Sequence, residues 1–185
     1  MCDQVPDCRD KSDERGCRLV LLEEGYNKNI PPIERDGDGL VVPARVFISM
    51  ALMKVVDIDE ADHSIRLQFA INMRWQENRA KYLNLKSDTS LNALIEDEIK
   101  SLWLPLVIYQ NTDQTESTRL GESWEWATSV IVTRDGNFSR SGPEDIDEAE
   151  IFKGTENNLT MIQRYTREFQ CHYQLHSYPF DTQVI

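Results

Sequence analysis

Ser64-Ile65-Arg66-Leu67-Gln68-Phe69-Ala70-Ile71-Asn72-Met73-Arg74-Trp75 is the stretch on which the fold reading turns. Its apolar side chains, Ile65, Leu67, Phe69, Ile71, Met73 and Trp75, fall on every second residue. A period of two is that of a strand with one buried and one open face. The open face then carries Gln68, Ala70 and Asn72, which suit solvent or a partner surface. Upstream, the apolar run over residues 40–56 reads as a mostly buried strand. Downstream, strands are predicted at 105–110, 124–133, 137–140 and 159–175. Asp135-Gly136 reads as a hairpin turn, and the acidic, apolar-poor residues 141–150 read as a loop. Residues 18–27 read as a short helix, with Leu19, Leu22 and Tyr26 near one face, stopped before Pro31-Pro32. Strands in succession, joined by turns rather than long helices, predict a mainly β chain and an antiparallel sandwich.

Composition narrows the function. The chain has 185 residues, and its apolar fraction of 40% is enough for a core, which argues against whole-chain disorder. Acidic residues outnumber basic ones by 32 to 20, for a net charge of −12. So negative a surface repels phosphates, and no nucleic acid partner is expected. No apolar run approaches the roughly 18–20 residues of a membrane span. Met1-Cys2-Asp3-Gln4 has neither the basic start nor the apolar stretch of a signal peptide. No Gly-x-Ser-x-Gly and no phosphate loop is present, so no enzyme is predicted. His172 and His176 lie four apart, about 13 Å on a strand, too far to share one zinc ion.

Three of the four cysteines, Cys2, Cys8 and Cys17, crowd into a front segment almost free of apolar side chains. Such a segment needs crosslinks, a metal ion, or both. Its text, Cys2-Asp3-Gln4-Val5-Pro6-Asp7-Cys8-Arg9-Asp10-Lys11-Ser12-Asp13-Glu14, resembles the C-terminal half of a low-density-lipoprotein receptor class A repeat. The resemblance covers residues 1–17 and implies a calcium ion held by Asp3, Asp7, Asp13 and Glu14, with the carbonyl of Val5. Calcium takes six to eight oxygen ligands, which fits. It also implies a Cys2–Cys17 disulfide and leaves both the partner of Cys8 and one carbonyl ligand of the calcium upstream, so the calcium site is expected to be incomplete and weak or empty. Asp36-Gly37-Asp38-Gly39 and Asp57-Ile58-Asp59-Glu60 lack the pattern of an EF-hand and read as turns.

The last fifteen residues open with Cys171 and contain Tyr178-Pro179-Phe180-Asp181. This resembles the signature loop of the Cys-loop, or pentameric, ligand-gated ion channels: a cysteine, an aromatic-Pro-x-Asp core, and a second cysteine. Trp75-Gln76-Glu77-Asn78-Arg79 and Leu102-Trp103-Leu104-Pro105 resemble that family's Trp-x-Asp-x-Arg and Ile-Trp-x-Pro segments. The resemblance covers residues 18–185. It implies an extracellular ligand-binding domain at the plasma membrane: an immunoglobulin-like β-sandwich with an N-terminal helix, assembled as five neighbouring subunits. A small extracellular ligand would bind between subunits, and the Tyr178–Asp181 tip would act on a membrane domain that this chain does not carry. The chain is therefore expected to be a fragment without pore.

The same resemblance marks departures. The second cysteine falls on position 185, occupied by Ile185, so Cys171 is expected to have no intrachain partner. Candidate ligand-face residues are Gln68, Ala70 and Asn72, with Tyr109 and Gln110 in the first principal-face loop. Amine transmitters are recognised by aromatic rings around a cation, whereas position 70 carries a methyl group. Asn137-Phe138-Ser139 and Asn158-Leu159-Thr160 are glycosylation sequons. Two other readings use the same text: a calcium-dependent adhesion or endocytic binding protein, and a soluble module of the acetylcholine-binding type.

Overall fold

A computed structural model describes residues 18–35, 37–109, 111, 129–140 and 150–171. The front cysteine segment, with Asp3, Asp7, Asp13 and Glu14, lies outside these residues, as do Gln110, residues 141–149 and the Tyr178–Asp181 tip. The described chain is β-rich. Its strands are β1 (Val20–Leu22), β2 (Ile33–Arg35), β3 (Val41–Pro43), β4 (Phe47–Asp59), β5 (Ser64–Gln76), β6 (Ala80–Leu83), β7 (Ser129–Thr133), β8 (Phe138–Arg140), β9 (Glu150–Lys153) and β10 (Asn158–Gln170), with one short helix, α1 (Glu96–Ser101).

One sheet has the order β1-β6-β9-β8, a second β4-β5-β10-β7, and β2 pairs with β3 alone. The pairings are antiparallel in β1–β6, β6–β9 and β8–β9, with Val20 opposite Tyr82 and Tyr82 opposite Phe152. Two compact units emerge. The first holds β1, β2, β3, β6, α1, β7, β8 and β9, with β5 from Met73 onward and β10 up to Met161. The second holds β4 from Ile48, β5 up to Asn72, and β10 from Ile162.

In the first unit, Met73, Trp75, Tyr82, Val130, Val132, Phe152, Leu159 and Met161 are essentially inaccessible. They stand on alternate positions of strands from both larger sheets, the burial pattern of a β-sandwich. Full burial of such side chains contributes roughly 1.5–3 kcal/mol each. Gly154 fits this core because it has no side chain: a Cβ there would meet the Glu77 carbonyl oxygen at 1.9 Å and that of Ala80 at 2.6 Å. In the second unit the predicted alternation of β5 holds. Ile65, Phe69 and Ile71 are buried, while Arg66 and Asn72 are exposed.

Four expectations are corrected. Residues 18–27 form no helix: Val20–Leu22 is a strand paired with β6, and Gly25 takes φ 84° in the turn that follows. The ladder partner and two carboxylate bonds to the Leu19 and Val20 amides outweigh the weak helical spacing. The apolar run 40–56 is split into β3 and β4, and β4 is open: Ile48, Met50, Leu52 and Met53 are each more than half exposed. Among the described residues it ends its sheet beside β5, and its side chains are exposed on both faces, because a strand buries them only where a second layer packs over the sheet. Residues 105–109 are irregular. Asp135-Gly136 joins no hairpin, because β7 and β8 lie in different sheets. Asn157 fixes that crossover by accepting from the Asp135 and Gly136 amides at 3.0 and 3.1 Å.

Candidate functional site

The open face of β5 gathers Gln68, Ala70 and Asn72 at period two: Asn72 is exposed, and Gln68 and Ala70 are half-buried. Behind them, Phe69 turns inward to an aromatic cluster of the second unit. Its ring centroid lies 5.8 Å from Tyr109, 5.6 Å from Tyr165 and 5.9 Å from Phe169. Tyr109 also packs edge-on against Tyr165 and Phe169. The structure therefore brings Gln68, Ala70 and Asn72 together and sets Tyr109 on the opposite side of the strand, ring against ring. The Arg167 guanidinium, itself buried, stands 5.9 Å from the Tyr165 ring centroid. A protein cation thus already uses one of these aromatic faces.

One end of the second unit joins two segments. The turn after β4 closes through His63, at φ 51°, and Asp59 Oδ1 accepts from the Ala61 and Asp62 amides at 2.9 and 3.0 Å. The Cys171 amide donates to the His63 carbonyl at 2.7 Å. Residue 171 is therefore fastened to the β4–β5 turn. Its thiol is free and buried. Beside it, Asp57, Asp59, Asp62, Ser64, Arg66 and Glu168 line a pocket of about 290 Å³, with Arg66 paired to Glu168 at 2.9 Å. Among the described residues no group of three or more His, Cys, Asp or Glu is placed to hold a metal ion. Nor is any described helix long and apolar enough to cross a membrane.

The first unit holds a buried ionic network that the sequence reading passed over. Glu77, wholly inaccessible, accepts from Arg79 Nε at 2.7 Å, Arg79 Nη2 at 2.9 Å and the Tyr26 hydroxyl at 3.0 Å. The Tyr26 oxygen in turn accepts from the Trp103 amide at 2.7 Å, and Arg79 stacks 4.6 Å above the Tyr26 ring. Burial, above all, holds the Tyr26 hydroxyl above the usual phenol range, and the Glu77 charge adds to it. Tyr82 is raised for the same reasons. Hydrogen bonding to Glu77 raises Arg79. The only signal in the text was the Trp75-x-Glu77-x-Arg79 spacing, which places both charges one side of a tight turn. Glu98 is a second such anchor: it accepts from the amides of Leu19, Val20 and Ile95 at 2.6, 3.0 and 3.1 Å, tying β1 to the start of α1. At the β7–β8 crossover, Asn137 is exposed, while Asn158 Nδ2 donates to Asp135 at 2.8 Å.

Two comparisons bear on this arrangement. The sequence pattern of the neurotransmitter-gated ion-channel ligand binding domain matches residues 18–184. The acetylcholine receptor subunit delta of Xenopus laevis is 21% identical over 109 residues, which is 58% of this chain and 20% of that protein. The match thus spans about a fifth of the length of this curated relative.

Proposed function

The chain belongs to the neurotransmitter-gated ion-channel ligand-binding-domain family, and from that premise we propose that it is the extracellular ligand-sensing part of a pentameric channel subunit. That family is one of receptor domains, not of enzymes. In this proposal a small extracellular ligand lies between neighbouring subunits, on the face formed by Gln68, Ala70 and Asn72. The two amides offer both donors and acceptors, and Ala70 leaves room without a ring. The ligand's recognition then rests on hydrogen bonds more than on an aromatic cage.

The observation that carries the reading is the bond between the Cys171 amide and the His63 carbonyl. That bond fastens residue 171 to the β4–β5 turn, and in this proposal the Tyr178-Pro179-Phe180-Asp181 segment, seven residues further along the sequence, acts on a membrane domain together with that turn. A ligand drives this only through different affinities for two arrangements of the domain. Calcium at Asp3, Asp7, Asp13 and Glu14, a Cys2–Cys17 disulfide, and glycans at Asn137 and Asn158 belong to the same proposal, as does a place on the extracellular side of the plasma membrane.

The test is voltage-clamp recording from cells expressing the polypeptide that carries this domain, challenged with amine and amino-acid transmitters. Ligand-evoked current is expected, with Gln68→Ala and Asn72→Ala each moving its half-maximal concentration upward by about tenfold, the loss of one or two hydrogen bonds. Currents that these variants leave in place would refute the assigned face. No current from a surface-expressed protein would refute the channel reading.

A further inference from the structure

We propose that a pocket of the first unit binds a small primary ammonium ion with a short apolar chain. This does not depend on the ligand reading, whose residues Gln68, Ala70 and Asn72 belong to the second unit. The pocket has a volume of about 430 Å³, within the range of small-molecule sites, and its described lining is Ile33, Glu34, Gln76, Asn78 and Thr155. Three segments far apart in sequence build it. β2 supplies Ile33 and Glu34, the end of β5 and the turn after it supply Gln76 and Asn78, and the turn between β9 and β10 supplies Thr155. The segments are tied to one another. Asn78 Nδ2 donates to the Ile33 carbonyl. The Gly154 amide donates to the Ala80 carbonyl at 2.9 Å, and the absence of a side chain there lets the β9–β10 turn lie against the Glu77 carbonyl.

The lining selects a cation rich in donors. Glu34 brings a carboxylate whose side chain keeps 26% exposure. It accepts from the Arg45 amide at 3.2 Å and from Arg45 Nε at 3.4 Å, both long for bonds to a charged acceptor, and the Arg45 side chain is 79% exposed. The carboxylate therefore has capacity for a shorter bond. Asn78 adds an acceptor of its own. With Nδ2 committed to the Ile33 carbonyl, Oδ1 is fixed as an acceptor, and that oxygen is buried without a hydrogen-bond partner among the described residues. A buried acceptor left unpaired is costly, so a donor brought to it is favoured. Gln76 and Thr155 contribute a carboxamide oxygen and a hydroxyl. A primary ammonium has three N–H donors and no acceptor, which suits this set. A carboxylate or phosphate would meet the Glu34 charge and be repelled. Ile33, 48% exposed, offers an apolar side chain to the hydrocarbon of the ligand.

The test is a proton–nitrogen NMR titration of the intact chain with n-butylammonium at neutral pH, from about 0.1 to about 50 mM, the range suited to so small a ligand. Saturable shifts are expected at the backbone amides of Glu34, Gln76 and Thr155. 1-Butanol, the uncharged analogue of nearly equal size, is expected to bind about tenfold more weakly, the difference between a charge-assisted and a neutral contact. That comparison uses the wild type alone, so it stands whatever a substitution does to folding. Glu34→Gln keeps the size of the side chain and removes its charge, and is expected to weaken the amine about tenfold. Glu60→Gln removes an equal charge from an exposed turn of the second unit and is expected to leave the titration unchanged. A wild type without saturable shifts at the three amides, shifts at Ala70 and Asn72 in their place, 1-butanol binding as tightly as the amine, or a Glu34→Gln loss no greater than that of Glu60→Gln would each overturn the proposal.

Discussion

Replacing Glu77 by glutamine is expected to cost about 3 kcal/mol of stability, the lower end for a broken buried ion pair. The magnitude follows from its surroundings. The carboxylate is wholly inaccessible and takes two charge-assisted bonds from Arg79 and one from Tyr26. Glutamine retains one acceptor and turns an N–H donor toward a guanidinium that can only donate. Arg79 keeps 23% side-chain exposure and so recovers part of its hydration, which places the cost below the upper figure of about 5 kcal/mol. The Arg66–Glu168 pair is an internal control. Its contact is 2.9 Å, but the side chains are 52% and 43% exposed, so Glu168→Gln should cost no more than about 1 kcal/mol. The assay is urea unfolding followed by tryptophan fluorescence, because Trp75 and Trp103 pack edge-on 6.1 Å apart beside the network. An unchanged urea slope would locate the effect in stability alone. A Glu77→Gln loss under about 1 kcal/mol, equal to that of Glu168→Gln, would refute the argument that burial decides the worth of these pairs.

Gly154→Ala is expected to destabilise by about 3 kcal/mol or more, since the new methyl group meets the Glu77 carbonyl and not a side chain that could move; thermal unfolding would read it, and a wild-type midpoint would sink it. Alkali should also unfold the protein. Tyr26 and Tyr82 hold their protons above the usual phenol range when folded, so between pH 10 and their raised values the unfolded chain binds fewer protons. Stability is then full below about pH 10 and falls as pH rises further, by up to about 1.4 kcal/mol per unit for the buried Tyr82. Tyr82→Phe should flatten that slope. At neutral pH it should be nearly neutral, because the Tyr82 hydroxyl has no hydrogen-bond partner among the described residues; urea titrations at pH 8 and 11 would decide both points.

Local periodicity made β5 and most of β10 legible, because each has one buried face and records it at every second residue. The continuous apolar run at β4 misled, because its residues are the equal of a core strand's while, among the described residues, no layer buries either of its faces. At residues 18–27 the deciding partners, Glu98 and β6, lie about eighty and sixty residues away, beyond the reach of any local pattern. Asp135-Gly136 announced a turn correctly but not where the chain went next, which Asn157 settles through two amides. At the candidate site, alternation alone grouped Gln68, Ala70 and Asn72. It could not show that Tyr109 would join Phe69, Tyr165 and Phe169, a packing set by three separate strands and loops.

His63 holds a left-handed backbone without being glycine, a conformation that costs a side-chain-bearing residue about 1 kcal/mol. Its carbonyl is clasped by an amide at the far end of β10. The turn and the residue that follows β10 are thus joined main chain to main chain, so the side chains at both positions can be exchanged with that tether intact, and proline at position 171, which has no amide hydrogen, is the replacement that deletes it.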